Sequence, residues 1–424
     1  MKKLKVLLIA EACNPTFTSV PLVGYNLVRA LAEREDLDIT LVSHVRNEAA
    51  LRADPIAGMV TLCCIDNEAL ARPLHKLSKL LRSDGLSWTI GTALGWPSYM
   101  LFEYKVYQQF KQALTADEFD VVHRVTPLSP TMGSPLAKWI KTPMVLGPIN
   151  GGLPWPKDYP ELRAQEKEWL VPLRKAYRLL PYFRSTYKHL KAVIAGSKHT
   201  ATEIPAVFRG QTWHMPENGI DPAKFTLGRV WQAPSGRFRF ITVGRLVPYK
   251  GVDLVLEAMA GSDLLRQAEL LVVGDGPQRQ ALEKLAQQRG LGDAVRFAGW
   301  VQQTDLAAEM QQAHALAFPS LREFGGGVVL EAMASGLPCV IVDYGGPAEL
   351  VDEQCGILVN MAPREVLIAN VRKAMEAMVQ NHAMCAAMSL AAIAKVRANY
   401  LWSVKAGKVV DIYRTVLAGK NYNK

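Results

Sequence analysis

Short runs of Val, Ile and Leu, separated by stretches of helical length, constrain this chain more than any other feature. "KVLLIAE", "DITLVS", "MVTLCCI", "DVVHRV", "PMVLGPI" and "AVIAGS" fall in the first half; "FRFITVGRL", "AELLVVGDG", "VRFAGWV", "ALAFPS", "PCVIVD" and "GILV" fall in the second. A strand apolar at consecutive positions is buried on both faces, the condition of a parallel strand covered by helices. Two such series predict two doubly wound α/β units rather than one very wide sheet. The length of 424 residues agrees, because one hydrophobic core rarely organises so long a chain. The turn-rich "TWHMPENGID", Thr212 to Asp221, is expected to be the hinge, with a first unit over 1–213 and a second over 214–396.

No window approaches twenty uninterrupted apolar residues. "MKKLKVLLIAEACNP" turns polar at Glu11 and breaks at Pro15, so its apolar run reads as a first strand rather than a signal peptide, and a cytosolic location is expected. The six cysteines have no metal-ligand spacing and sit mostly among apolar residues, which suits a reduced compartment. A formal charge of +10 implies an anionic partner. Nucleic acid, a membrane surface and a phosphorylated substrate all qualify by charge, but no aromatic-basic reader module favours nucleic acid. The basic excess gathers partly in "RPLHKLSKLLRS" and "RKAYRLLPYFRSTYKHLK". Such segments either lie on an anionic bilayer or pack on a core with a charged outer face.

In doubly wound sheets, ligands bind beyond the carboxyl ends of the strands, so the loops after each apolar run carry the information. "GRLVPYKG" places Arg245 and Lys250 in one short loop between Gly244 and Gly251, a pair of cations suited to a diphosphate leaving group. "REFGGGVVLEAMASGLPCV" sets Glu323 before three glycines and Glu331 inside the helix that follows. An open helix amino terminus with glycine backbone admits an anion or a sugar closely. "VVGDGPQRQALEKL" opens G-x-G but has Arg279 where a dinucleotide fingerprint needs its third glycine. It reads as strand, turn and helix with Pro277 in the first turn.

"PENGID", "VGRLVPYKG", "VVGDGP", "FAGWV", "FPSLREFGGGVVLEAMASGLPCV" and "GGPAELV" together, in this order, resemble the retaining nucleotide-sugar glycosyltransferases of family 4. Glu323 and Glu331, with seven residues between them, match that family's E-x7-E pattern. The resemblance covers nearly the whole chain. It implies the GT-B architecture, two facing Rossmann-like domains with a cleft between them. It further implies that 1–213 is the acceptor side, completed by a C-terminal helix over 397–424, and that 214–396 binds the donor. Residue by residue, it implies that Glu323 orients donor-sugar hydroxyls and that Gly325, Gly326, Gly327 and Val328 present backbone N–H groups to sugar and phosphate. Glu331 would hold the ribose hydroxyls, Arg245 and Lys250 the diphosphate beside Gly244, and backbone near Trp300 and Val301 the nucleobase.

The amino-terminal half departs from that pattern. "EACNPTFTSVPLVGYNLVRALAE" keeps only Gly24 of the usual paired glycines, as a candidate for donor phosphate contact. "DVVHRV" keeps His123, a candidate catalytic residue, but has Val125 where a second histidine often stands. "GPINGG" occupies the place of a histidine-bearing loop, so its glycines are expected to shape the acceptor side.

The implied reaction moves a sugar from a nucleoside diphosphate sugar to a hydroxyl of a lipid-linked or saccharide acceptor, in bacterial polysaccharide or glycolipid synthesis. Front-face attack is preferred to double displacement, because Glu323 beside the glycines suits orienting hydroxyls better than attacking the sugar. No cofactor beyond the donor and no metal are expected: the acidic triplet Asp36 to Asp38 precedes a strand and so lies at the wrong end of the sheet. A lipid-linked acceptor would favour contact with the inner face of an anionic membrane. Two rival readings remain distinct in kind. A nucleotide-sugar sensor would keep the donor loops without turnover. An NAD-dependent oxidoreductase would need the complete glycine fingerprint that "AEACNPTFTS" lacks.

Overall fold

The structure is a computed structural model that describes residues 2–83, 88–165 and 177–421. Seven strands form the first sheet: β1 (Leu4–Ala10), β2 (Leu37–His44), β3 (Thr61–Ile65), β4 (Val121–Thr126), β5 (Met144–Ile149), β6 (Ala192–Ala195) and β7 (Gln211–His214). Six form the second: β8 (Arg239–Val243), β9 (Glu269–Val273), β10 (Val295–Gly299), β11 (Ala315–Phe318), β12 (Cys339–Val342) and β13 (Gly356–Val359). Their spatial orders are β3-β2-β1-β4-β5-β6-β7 and β10-β9-β8-β11-β12-β13. Pairing is parallel within each sheet.

Continuous apolar runs produce this arrangement because each side chain along a central strand finds a helix above or below it. In β1, Val6, Leu8 and Ala10 join one apolar cluster of the first sheet, while Leu7 and Ile9 join the cluster on its other face. In the second sheet, Phe240 belongs to one cluster and its neighbour Ile241 to the other. Strand order reverses between β1 and β4 in the first sheet and between β8 and β11 in the second. At such switch points the loops diverge to opposite faces and leave room for a ligand.

The edge strand β7 overlaps the start of the stretch expected to be the hinge. Its residues are mostly exposed, so it carries no apolar run to announce it. The chain divides into Met1–Gly152, Arg163–Glu217 and Trp402–Lys424 as one unit, and Leu153–Leu162 with Asn218–Leu401 as the other. Leu153–Leu162 thus packs with the second unit, although the sequence division at 213 placed it with the first. The helix Trp402–Asn421 lies on the first sheet, with Val409, Val410, Ile412 and Tyr413 buried in its core.

His123 belongs to this packing. It is fully buried in β4, where its Nε2 lies 2.7 Å from the carbonyl of Gly147 and its Nδ1 lies 2.6 Å from the hydroxyl of Tyr413. A carbonyl only accepts, so Nε2 carries the proton and Nδ1 accepts from Tyr413. Burial pushes the imidazole pKa down to about 4, which keeps the ring neutral. The expected catalytic role is therefore corrected: both nitrogens are occupied, Nε2 on β5 and Nδ1 on the helix Trp402–Asn421.

Gly24 receives a similar correction. It is buried in the helix Val20–Ala32, and a Cβ there would stand 2.7 Å from both the Ala12 carbonyl and the Thr126 methyl. Its bareness lets this helix approach the β1 and β4 ends rather than opening a phosphate site.

All six cysteines are free thiols, four of them buried. Among the described residues, no single helix is long and apolar enough to cross a membrane. Of the basic segments, "RPLHKLSKLLRS" lies in the helix Glu68–Ser83. Residues 174–176 of the other fall outside the described residues. In its remainder Phe183 and Tyr187 turn into the core of the first sheet, which accounts for the aromatic half of that pattern.

Candidate active site on the second sheet

Most of the remaining sequence candidates meet at the carboxyl ends of β8 and β11, on either side of the switch point. The loop after β8 runs through Gly244 and Arg245 into a short turn, Pro248–Lys250, that ends at Gly251. Gly251 takes φ 72°, and a Cβ there would stand 2.3 Å from the carbonyl of Pro319. Only glycine lets these two loops touch backbone to backbone. The contact is fastened by the amide of Leu321 and the hydroxyl of Ser320, which both donate to the Tyr249 carbonyl, at 2.8 and 3.2 Å.

This fastening brings Lys250 to Glu323. Their side chains form a salt bridge while remaining only 16% and 20% exposed. The ammonium also lies 5.2 Å from the centre of the Phe318 ring. Glu323 is fixed from behind, where its carbonyl accepts from the amide of Gly346 at 2.9 Å. Arg245 is exposed, and among the described residues its side chain has no hydrogen-bond or salt-bridge partner.

Gly325 and Gly326 are buried, and Gly326 adopts φ 59° as the residue before the helix Gly327–Ala334. No side chain caps this helix. The first amide to find a carbonyl is that of Val329, which donates to Gly326. The amides of Gly327 and Val328 precede it and project from a positive dipole end, the arrangement that holds anions. Val328 itself packs partly against the core.

One turn further along this helix, Glu331 accepts from the Gln303 side-chain amide at 3.0 Å. Burial pushes its carboxyl pKa up to about 7, opposed by Gln303 and by the charge of Lys224. Val301 follows β10 and packs partly into the same core, next to Trp300, which is 70% exposed. Among the described residues, no group of three or more His, Cys, Asp or Glu side chains is placed to hold a metal ion.

Sequence reasoning missed the floor of this site. Arg322, 8% exposed, donates through Nε and an η nitrogen to the Leu153 carbonyl at 3.1 and 3.0 Å. Its guanidinium lies between the rings of Trp155 and Phe324, 4.7 and 5.0 Å from their centres. Tyr344 donates to the carbonyl of Pro154 at 2.8 Å, and Tyr159 to that of Ala362 at 2.9 Å. The segment Leu153–Leu162 is thus clamped beside Glu323 by residues adjacent to the glycine loops. An aromatic pair, Trp155 and Tyr159, within a proline-rich loop was the signal available.

Comparison with known proteins agrees with this geometry. The family model "Glycosyl transferases group 1" matches residues 224–390, which include every site residue placed on the second sheet. The chain is 32% identical over 197 residues to an uncharacterised glycosyltransferase of Methanocaldococcus jannaschii, covering 42% of this chain and 49% of that protein. It is 31% identical over 184 residues to the GDP-mannose-dependent alpha-(1-6)-phosphatidylinositol monomannoside mannosyltransferase of Mycobacterium tuberculosis, covering 41% and 46%. The chain thus spans about half the length of the curated relatives it matches. Among solved structures, sucrose-phosphate synthase from Thermosynechococcus elongatus superposes with TM-score 0.65 at 19% identity, over 98% of this chain and 100% of that one. That likeness establishes the fold as the GT-B pair of Rossmann-like sheets.

Proposed function

We propose that this chain is a retaining glycosyltransferase that moves a sugar from a nucleoside diphosphate sugar to a hydroxyl of a saccharide or lipid-linked acceptor. The observation that carries the reading is the Lys250–Glu323 salt bridge beside the uncapped helix Gly327–Ala334, at the switch point of a parallel sheet. A cation and open amides for phosphate, and a carboxylate for sugar hydroxyls, stand side by side. The family match over 224–390 and the sugar-transferring relatives support the same chemistry.

In this reading Arg245 and Lys250 neutralise the departing diphosphate, a task that a metal performs in other transferases. Glu331 accepts from the ribose hydroxyls. Glu323 orients the sugar, since a carboxylate already paired with an ammonium is a weak nucleophile. Retention then follows from front-face attack. The bond from the anomeric carbon to phosphate oxygen breaks, the acceptor oxygen bonds on the same face, and its proton passes to the leaving phosphate.

The test is a panel of nucleotide sugars with EDTA present, read by thermal stabilisation and by donor turnover. One donor should raise the melting temperature and be consumed, and NMR of the product should show the donor's anomeric configuration. A product of inverted configuration would overturn the retaining mechanism. Binding without turnover, whatever acceptor is supplied, would leave a sensor, and binding of no nucleotide sugar would defeat the whole reading.

A further inference from the structure

A second cluster lies on the first sheet, at the carboxyl ends of β1, β2 and β3. Phe17, Val45, Arg46, Glu68, Arg72 and His75 line a cavity of about 630 Å³. That size lies within the range of about 300–1,000 Å³ common for small-molecule sites. At its centre Glu68 pairs through one carboxylate oxygen with Nε of Arg46 and through the other with Nε of Arg72. His44 stands 3.7 Å away, and burial holds its imidazole pKa down.

Binding through Nε fixes both guanidinium planes and leaves their η nitrogens without protein partners among the described residues. The side chains of Arg46 and Arg72 remain 44% and 74% exposed. Two guanidinium groups share the single carboxylate of Glu68, each through Nε alone. Glu11 lies near Arg46, and burial raises the pKa of its carboxyl. A planar guanidinium fork matches phosphate oxygens two at a time. Phe17, 53% exposed, offers an apolar ring at the rim, the kind of surface on which a sugar ring lies.

We propose that this cavity is the acceptor site and that the acceptor is a saccharide bearing a phosphate group, gripped by Arg46 and Arg72. The inference rests on the transferase reading above and goes beyond it by naming the acceptor's charge and the residues that recognise it. Glu68 is a positioning residue here: it aims the two guanidinium groups without meeting the ligand's anion itself.

The test is calorimetric titration of the full chain with hexose 6-phosphates, hexose 1-phosphates, the parent neutral hexoses and inorganic phosphate. At least one hexose phosphate should bind at least tenfold more tightly than both its parent hexose and inorganic phosphate. Arg46→Ala and Arg72→Ala should each weaken it at least tenfold, with circular dichroism showing both variants folded. Arg72 is the safer variant, since its side chain stands mostly in solvent. No hexose phosphate binding, binding as tight for neutral hexoses or inorganic phosphate, or unchanged affinity in both variants would overturn the proposal. Nucleotide-sugar titration of the unaltered chain is run alongside. Loss of that binding defeats the transferase reading, whereas its presence without hexose phosphate binding defeats only the acceptor assignment.

Discussion

Lys250, in the turn after β8, and Glu323, in the loop after β11, are joined by a salt bridge across the switch point of the second sheet. Each therefore holds the other in place before any substrate arrives. Lys250→Ala should lower donor turnover by about two to three orders of magnitude, the usual loss when one preorganised charge is removed from a leaving group. Affinity for the sugar-free nucleoside diphosphate should fall as well. In Glu323→Gln the salt bridge is lost but the ammonium stays, so that affinity should be largely kept while turnover drops with the lost sugar contact. Steady-state kinetics and nucleotide titration separate the two variants, and wild-type turnover in Lys250→Ala would remove the charge-neutralising role.

Glu331 predicts a pH dependence. Burial raises its carboxyl pKa to about 7, and in the proposed donor site only the ionised form would accept two ribose hydroxyls. Donor affinity should therefore weaken as pH falls through 7. Glu331→Gln should bind donor more weakly at pH 8 and show little change between pH 6 and 8. Donor titrations at these pH values check both statements; an unaltered pH profile in the variant would assign the titration to another group.

His123 and Tyr413 predict the acid limit of stability. The pKa of His123 is depressed in the folded chain to about 4, against about 6.5 unfolded, so the unfolded state binds more protons between these values. Its contribution is full above pH 6.5 and is lost as pH falls toward 4, to a total of roughly 3 kcal/mol. His314, with its pKa also pushed down to about 4, adds a similar slope from the second sheet. Tyr413→Phe should lower stability by about 1–3 kcal/mol, since it leaves a buried acceptor on His123 unpaired. Hydrogen exchange in β4 and the helix Trp402–Asn421 for the first unit, and in β11 for the second, compared at pH 5 and pH 7, reads these effects unit by unit.

Gly24→Ala tests packing against ligand contact. The new methyl would meet a backbone carbonyl at 2.7 Å, so a loss of about 1–3 kcal/mol is expected. Donor affinity should be unchanged at a temperature where the variant is folded. A donor affinity that falls with little loss of stability would restore the phosphate role.

Arg322→Ala removes the clamp on Leu153–Leu162. A buried arginine that packs between two rings and satisfies a carbonyl should cost about 2–4 kcal/mol when truncated. Limited proteolysis should then cut within 153–162 faster than in the unaltered chain. Equal cleavage rates would show that Tyr344 and Tyr159 hold the segment by themselves.

Twelve of the thirteen strands were legible from their apolar runs, which in the central strands come from burial on both faces. β7 escaped because three of its four residues are exposed at a sheet edge. The loops of the candidate site were legible for a related reason: they follow strands, and Gly251, Gly326 and the carboxylates stand at fixed offsets from them. His123 was read for its chemistry, yet its partners, Gly147 and Tyr413, lie 24 and 290 residues away. Arg322 stood inside the most informative stretch and still gave no sign of its work. Its partner Leu153 is 169 residues earlier, and nothing local marks a guanidinium as buried.

The tie between His123 and Tyr413 also bears on synthesis. A ribosome releases the whole of the second sheet, together with Leu153–Leu162, before residue 402 exists. Tyr413 follows every residue of the second unit in the chain, so β4 keeps an unoccupied imidazole nitrogen and an uncovered apolar face until that unit has been made. The usual amino-terminal-first order of domain completion is inverted: the second unit can finish while the first still waits for its closing helix.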